Sequence, residues 1–196
     1  MTRRDVTPES WFELVHWLPA HEADALGSAL TRELDWQSRE IVLFGRRIVQ
    51  PRLVAWAGRL PYRYSGQTLP VRVPEPSLAA IWQRVEERVS TEFNHVLVNR
   101  YRSGQDSMGM HADDEPELGD RPLIVSLSLG ATRSFAVVGK KKSLGVAPFR
   151  LALGTGDLLT MGGAFQHELR HGVPKDPRAA GERINLTFRR LERAPG

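Results

Sequence analysis

The sequence predicts a mainly β fold with flanking helices, in which a sandwich or barrel of short strands stands behind a helix-containing front. Three observations carry that expectation. From residue 95 the apolar period changes from that of a helix to that of a strand. The strand candidates beyond it are short, evenly spaced and punctuated by Gly, Pro and Asp, the pattern of sandwiches and barrels. No helical segment interrupts them.

The elements follow in chain order. His21 to Trp36 carries Ala23, Leu26, Ala29, Leu30 and Leu34 at helical spacing. Between residues 41 and 56, two apolar runs flank Gly45-Arg46-Arg47, which predicts a β-hairpin. Residues 60–76 are rich in Pro, Gly and aromatics and read as an irregular loop. Ser77 is placed as an N-cap. Leu78, Ile81, Trp82, Val85, Val89 and Phe93 then share one face of a helix over 77–93, with Gln83, Arg84, Glu86, Glu87 and Arg88 largely on the other. Strands are expected over 95–102, 122–130, 133–139, 149–154, 157–162 and 183–191. The run Lys140–Lys142 marks a solvated hairpin tip or a phosphate contact.

With 196 residues the chain is expected to be one domain. A chain of this size buries roughly 70% of its unfolded surface, enough for its own core. Its 41% hydrophobic and 26% charged residues are those of a globular protein. Cysteine is absent. That excludes disulfides, thiolate metal sites and a cysteine nucleophile, and leaves His, Asp and Glu to hold any metal. The net charge is +4, and only Lys140, Lys141, Lys142 and Lys175 of the 27 basic residues are lysines. Arginine forks suit phosphates and carboxylates, so the excess fits anionic partners; arginine-rich codon usage accounts for it equally well. Residues 1–20 hold no apolar core of signal-peptide length. No stretch approaches the ~18 apolar residues of a membrane span. A soluble, cytoplasmic monomer is expected.

Chemistry concentrates at three places. In His111-Ala112-Asp113 the two donor side chains lie two residues apart and share one side of an extended chain. A third ligand from a distant strand would complete a two-His, one-carboxylate facial triad with open positions, as in non-haem Fe(II) oxygenases. His167 and His171 both qualify by spacing as that third ligand. His16, His21 and His95 lie outside the cluster and are expected to be structural or surface residues. Asp114 and Glu115 follow directly and suit an amino group or a cationic substrate. In the last strand, Ile184, Leu186 and Phe188 alternate with Arg183, Asn185, Thr187 and Arg189. Such a polar face ordinarily meets solvent. Alternatively, arginines from its two ends, about 20 Å apart along a flat strand, converge on a small dianion such as 2-oxoglutarate. Asn99 and Tyr101, also two apart, add neutral donors.

These residues, in this order and spacing, resemble the AlkB-type Fe(II)- and 2-oxoglutarate-dependent dioxygenases that reverse alkylation of nucleic-acid bases. The matching stretches are Asn99-Arg100-Tyr101, His111 to Glu115, Pro122 to Gly130, His171 to Pro174 and Arg183 to Arg189, within roughly residues 40–191. The resemblance implies a double-stranded β-helix (jelly-roll) core over residues 95–196, with residues 1–94 packed on it as a helical extension and nucleotide-recognition lid. It implies Fe(II) on His111, Asp113 and His171, the last chosen over His167 by the Gly-Val-Pro that follows. It places Asn99, Tyr101 and Arg183 on the distal carboxylate of 2-oxoglutarate, and Asn185 and Arg189 near the carboxylate that chelates iron. The activity implied is oxidative demethylation of bases such as 1-methyladenine and 3-methylcytosine in DNA or RNA. O2 and 2-oxoglutarate are consumed, and succinate, CO2 and formaldehyde released. The same fold acting on a protein or small molecule is the alternative.

The front of the chain resembles the family's nucleic-acid-binding parts. Leu43-Phe44-Gly45-Arg46 is similar to the finger pushed into a duplex, with Phe44 as wedge; a buried core residue is the other reading of Phe44. Arg46, Arg47 and Arg52 are expected on phosphates. The segment from Tyr62 to Gly66 resembles the lid over the extruded base. Tyr64 would stack on one face of that base with His111 on the other. Asp114 and Glu115 would favour a cationic methylated base, Glu115 approaching its exocyclic amino group.

Overall fold

The computed structural model describes residues 3–43, 46–64 and 67–194, without the side chains of residues 41–43, 46, 47 and 64. Phe44 and Gly45 lie outside the described residues, as do the side chains of Arg46, Arg47 and Tyr64. The strands are β1 (Arg3–Asp5), β2 (Ser10–His16), β3 (Gln37–Leu43), β4 (Arg46–Gly58), β5 (Tyr62–Tyr64), β6 (Gln67–Leu69), β7 (His95–Tyr101), β8 (Met108–His111), β9 (Ile124–Gly130), β10 (Arg133–Gly139), β11 (Phe149–Leu153), β12 (Asp157–Gly163), β13 (Leu169–Val173) and β14 (Arg183–Arg189). The α-helices are α1 (Ala20–Glu33), α2 (Pro76–Val89) and the single turn α3 (Phe165–Glu168).

Two antiparallel sheets form the jelly roll. The larger has eight strands in the order β1-β2-β12-β9-β14-β7-β4-β3; the smaller has four, in the order β11-β10-β13-β8. The large sheet draws on both halves of the chain, because β4 pairs with β7 and β2 with β12. The central strand is β14, held between β9 and β7. Its alternation now has a cause on each side. Ile184, Leu186 and Phe188 join Leu78, Ile81, Trp82 and Val85 of α2 and Ala23 and Leu30 of α1 in one apolar core. Arg183, Asn185, Thr187 and Arg189 are also buried, at 8% exposure or less. They turn into the space between the sheets, so the polar face of this strand meets protein rather than solvent. A second core, with Phe135, Val137, Leu159, Met161 and Leu169, fills the rest of that space.

Several expectations change. The helix over 77–93 starts at Pro76, whose missing N–H suits a first turn. Ser77 is therefore no cap: its N–H and hydroxyl donate to the Glu33 carboxylate at the end of α1. The helix stops at Val89, where Ser90 takes a left-handed conformation. Phe93 still reaches the same core from the following turn. Residues 60–76 contain a short hairpin, β5 with β6, in place of a wholly irregular loop. β2, β8 and β13 have no counterpart among the expected strands. Lys140 is not a solvated tip, since it donates to Asp114 Oδ2 (2.6 Å) and to the Gln166 carbonyl (2.7 Å). Among the described residues no helix is long and apolar enough to cross a membrane.

Candidate active site

The site lies between the polar face of β14 and the small sheet. On the large sheet, Asn185 stands opposite Asn99 of β7 and Ser128 of β9, and Arg183 stands opposite Tyr101. Asn185 Nδ2 donates to Ser126 Oγ (2.7 Å) and the Leu127 carbonyl (3.1 Å), while its Oδ1 accepts from Thr187. Arg183 sits over the Tyr101 ring, 5.3 Å from its centroid, and donates through Nη2 to Ser128 Oγ. Its Nε and Nη1 are buried with no partner. A buried guanidinium with spare donors is an incomplete site, because unpaired buried charge is costly; a carboxylate would complete it.

The two arginines line the same cleft from opposite ends of β14. Arg189 lies at the far end of β14 over the Tyr62 ring, and its Nη2 donates to Asp113 Oδ1 at 2.8 Å. Both partners of that ion pair are 2% exposed.

The small sheet brings the histidines. His171 of β13 is the register partner of His111 of β8, with ring centroids 4.4 Å apart. Phe135 stacks against His171 at 5.1 Å. His111 Nδ1 bonds the Gly109 carbonyl at 3.0 Å, which leaves Nε2 as the metal-facing nitrogen. His167 lies exposed on α3, away from the pair. Burial, with His111 beside it, pushes His171 down to about 3. Burial also lowers His111. Burial alone would raise Asp113, but Arg189 and the two histidines hold it down to about 2. Two neutral imidazoles and one ionised carboxylate are the protonation states that a divalent ion needs.

These residues fit such an ion. Asp113 Oδ2 and His171 Nδ1 are buried without partners, and the donors are the nitrogen and oxygen types that Fe(II) takes. Among the described residues no three His, Asp or Glu side chains are yet drawn to metal-binding separations; Asp113 is held by Arg189 instead. The cleft is narrow, with a cavity volume of about 20 Å³, and is lined by Asn99, Tyr101, His111, Asp113, His171, Arg183, Asn185 and Arg189. Two roomier grooves, beside α1 and α2, contain none of these residues.

The expected nucleic-acid contacts fare differently. Arg52 is 5% exposed and donates through Nε to Asn99 Oδ1 (2.7 Å) and through Nη1 to the Ser107 carbonyl. It faces inward with Gln50 and Val54 on alternate positions of β4, so it is not a surface phosphate contact. Tyr62 is fully buried, 4.7 Å from His95 ring to ring, and offers no open face for stacking. Asp114 is exposed and paired with Lys140, away from Asp113. Glu115 stays half-buried, and burial with Asp113 nearby raises it to about 7.

Sequence reasoning missed Gln166, fully buried on α3, whose Oε1 accepts from the Asp113 N–H at 3.0 Å. It also missed Ser126 and Ser128, although their alternation on β9 was a readable signal. His95 proves to be buried opposite Arg189, and burial pushes it down to about 3.

A jelly roll whose inner faces set two histidines and an aspartate against buried arginines is the architecture of one enzyme class. The chain belongs to the 2OG-Fe(II) oxygenase superfamily, whose family model matches residues 13–189. Within it the similarity is to AlkB-type members. The chain is 41% identical over 175 residues to Alpha-ketoglutarate-dependent dioxygenase alkB homolog 3 of Bos taurus, covering 86% of this chain and 61% of that protein. It is 36% identical over 180 residues to DNA oxidative demethylase ALKBH2 of Mus musculus, covering 87% and 75% respectively. The chain thus spans about three fifths of the alkB homolog 3 relatives. Two solved structures share the fold. OsALKBH1 has a TM-score of 0.59 at 17% identity, covering 96% of this chain and all of that one. A 2OG-Fe(II) oxygenase family oxidoreductase from Burkholderia pseudomallei has a TM-score of 0.62 at 19% identity, covering 94% and 87%.

Proposed function

We propose that this protein is an Fe(II)- and 2-oxoglutarate-dependent dioxygenase that removes N-methyl groups from bases of DNA, and of RNA as a second substrate. The observation that carries the reading is the facing of His111, His171 and Asp113 onto a cleft whose other wall holds Arg183 with unpartnered donors. His111, Asp113 and His171 would hold Fe(II). The bound metal, with O2 and 2-oxoglutarate, supplies the oxidation of the methyl carbon.

The protein's own residues bind, orient and exclude water. Arg183, with Tyr101 and Asn99, takes the distal carboxylate of 2-oxoglutarate. Arg52 holds Asn99 Oδ1, which leaves the Asn99 amide N–H2 as the group to meet that carboxylate. Arg189, which donates to Asp113 Oδ1, serves the metal-proximal end together with Asn185. Phe135 and Phe165 shield His171 from water. Glu115 faces the exocyclic amine of the extruded base, with Tyr62 as the wall behind it. Phe44 keeps the wedge role, and Tyr64 the stacking role, that the resemblance gives them.

Formaldehyde release from methylated single strands and duplexes of DNA and RNA tests the reading. DNA bearing 1-methyladenine or 3-methylcytosine releases formaldehyde with wild-type protein and none with Asp113→Ala. Full activity in that variant overturns the metal assignment. Unchanged turnover of a methylated duplex after combined Phe44→Ala and Tyr64→Ala substitution overturns the base-extrusion account.

A further inference from the structure

Asp113 has no strand to hold its backbone. It lies in the irregular stretch between His111, the last residue of β8, and the 3-10 turn Pro116–Leu118. Its carboxylate is nevertheless 2% exposed and must meet a metal at a fixed place. Three contacts hold this stretch, all from residues outside the metal-ligand set. Gln166 Oε1 accepts from the Asp113 N–H at 3.0 Å, and Gln166 is itself fully buried. Lys140 Nζ bridges the Gln166 carbonyl and Asp114 Oδ2. Arg189 takes Asp113 Oδ1. The first ties the Asp113 backbone to α3, and the second ties the Asp114 side chain to α3 through Lys140, which follows β10. The third restrains only the carboxylate.

We propose that Gln166 is a positioning residue for the carboxylate metal ligand, with Lys140 locking it in place. The proposal rests on the metal reading above. α3 is only one turn long, and its Phe165 and Gln166 are buried while His167 is exposed. The turn therefore presents Gln166 to Asp113 and shows its histidine to solvent. Without the amide oxygen, the Asp113 N–H would be a buried donor without a partner. The stretch would then relax toward water and carry the carboxylate with it. Groups that orient metal ligands without touching the metal typically account for 10–100-fold in metal affinity.

The test is Co(II) binding to the metal-free protein, read by calorimetry and by the Co(II) absorption bands. Gln166→Leu is expected to bind roughly 10–100-fold more weakly with altered bands. Gln166→Glu keeps an acceptor oxygen at the same reach and is expected to restore affinity and the wild-type bands. Lys140→Met is expected to fall between Gln166→Leu and wild type. Melting curves of the metal-free variants accompany the titrations. Wild-type affinity in Gln166→Leu overturns the proposal, and so does a Gln166→Glu protein as weak and as spectrally altered as Gln166→Leu. A Gln166→Leu affinity loss that appears only where the variant is already partly unfolded also overturns it. The underlying reading fails separately: wild-type protein that binds no Co(II), or binds it unchanged after His171→Ala, removes the metal site itself and the clamp with it.

Discussion

Replacing Arg189 by Met isolates what the buried ion pair contributes without metal. Arg189 and Asp113 are each 2% exposed and bonded at 2.8 Å. Removing one partner of a buried pair leaves the other as an uncompensated charge, at about 3–5 kcal/mol. In a chain of this size, about 1 kcal/mol shifts the melting temperature by roughly 2–4 °C. Metal-free Arg189→Met is therefore expected to melt about 6–20 °C below wild type, measured by differential scanning fluorimetry in a chelating buffer. Metal should reverse part of that loss. In wild type an incoming cation shares Asp113 with Arg189, whereas in the variant it meets a carboxylate with no counter-charge. Saturating Mn(II) or Co(II) should thus raise the melting temperature of the variant more than that of wild type. A metal-free variant that melts within about 2 °C of wild type would refute the argument. So would an equal metal-induced rise in both proteins.

Three further outcomes are expected. Arg183→Met should weaken 2-oxoglutarate binding by at least about 100-fold, since a charged, hydrogen-bonded pair is lost. It should leave metal-free stability unchanged or improved, because the guanidinium it removes has unpartnered donors; calorimetry and melting curves read the two effects. His95 is buried beside Tyr62 and opposite Arg189, and its folded value of about 3 lies below the ordinary 6.5. The unfolded chain therefore binds the extra proton first. The stability is fully present above pH 6.5 and lost as pH falls toward 3, by about 2–3 kcal/mol at pH 4.5. In His95→Phe the urea midpoint should fall less between pH 7 and 4.5 than in wild type. At Gly58 a Cβ would stand 2.7 Å from His95 Cδ2 and 3.2 Å from the Asn94 carbonyl. Gly58→Ala should destabilise by about 1–3 kcal/mol, and by measurably less in a His95→Ala background, in a double-mutant denaturation series.

Much of the fold was legible because alternation and helical spacing are local signals. β14 was read correctly as a strand with one apolar and one polar face. Its environment was not readable, since a polar face turned to solvent and one turned to a second sheet have the same period. Only the pairing of β14 with β7 and β9, and the helices on its other side, settle the matter. β8 escaped notice because Met-Gly-Met-His has no strand pattern; long-range pairing with β13 makes it one. His111 and Asp113 stood out by spacing. His171 was separated from His167 by resemblance, and their difference in the structure follows from the turn of α3 between β12 and β13. Arg52 was misplaced because an arginine in a hairpin looks like a surface cation. Burial on the inner face of β4 came from sheet register, which a single strand does not encode.

β14 occupies the middle of the large sheet, yet it is made after every other described strand. Until it arrives, β7 and β9 have no strand between them, the helices lack the apolar row they rest on, and the cleft lacks Arg183 and Arg189. The nascent chain thus carries a gap through its centre, and folding waits on contacts of high sequence separation, which form slowly. A slip of one residue on insertion would drive Arg183, Asn185, Thr187 and Arg189 into the helical core and strip the cleft of its charge at once. Correct docking of one late strand therefore closes the hydrophobic core and arms the cleft in the same step, so that a misthreaded chain is both unstable and chemically inert.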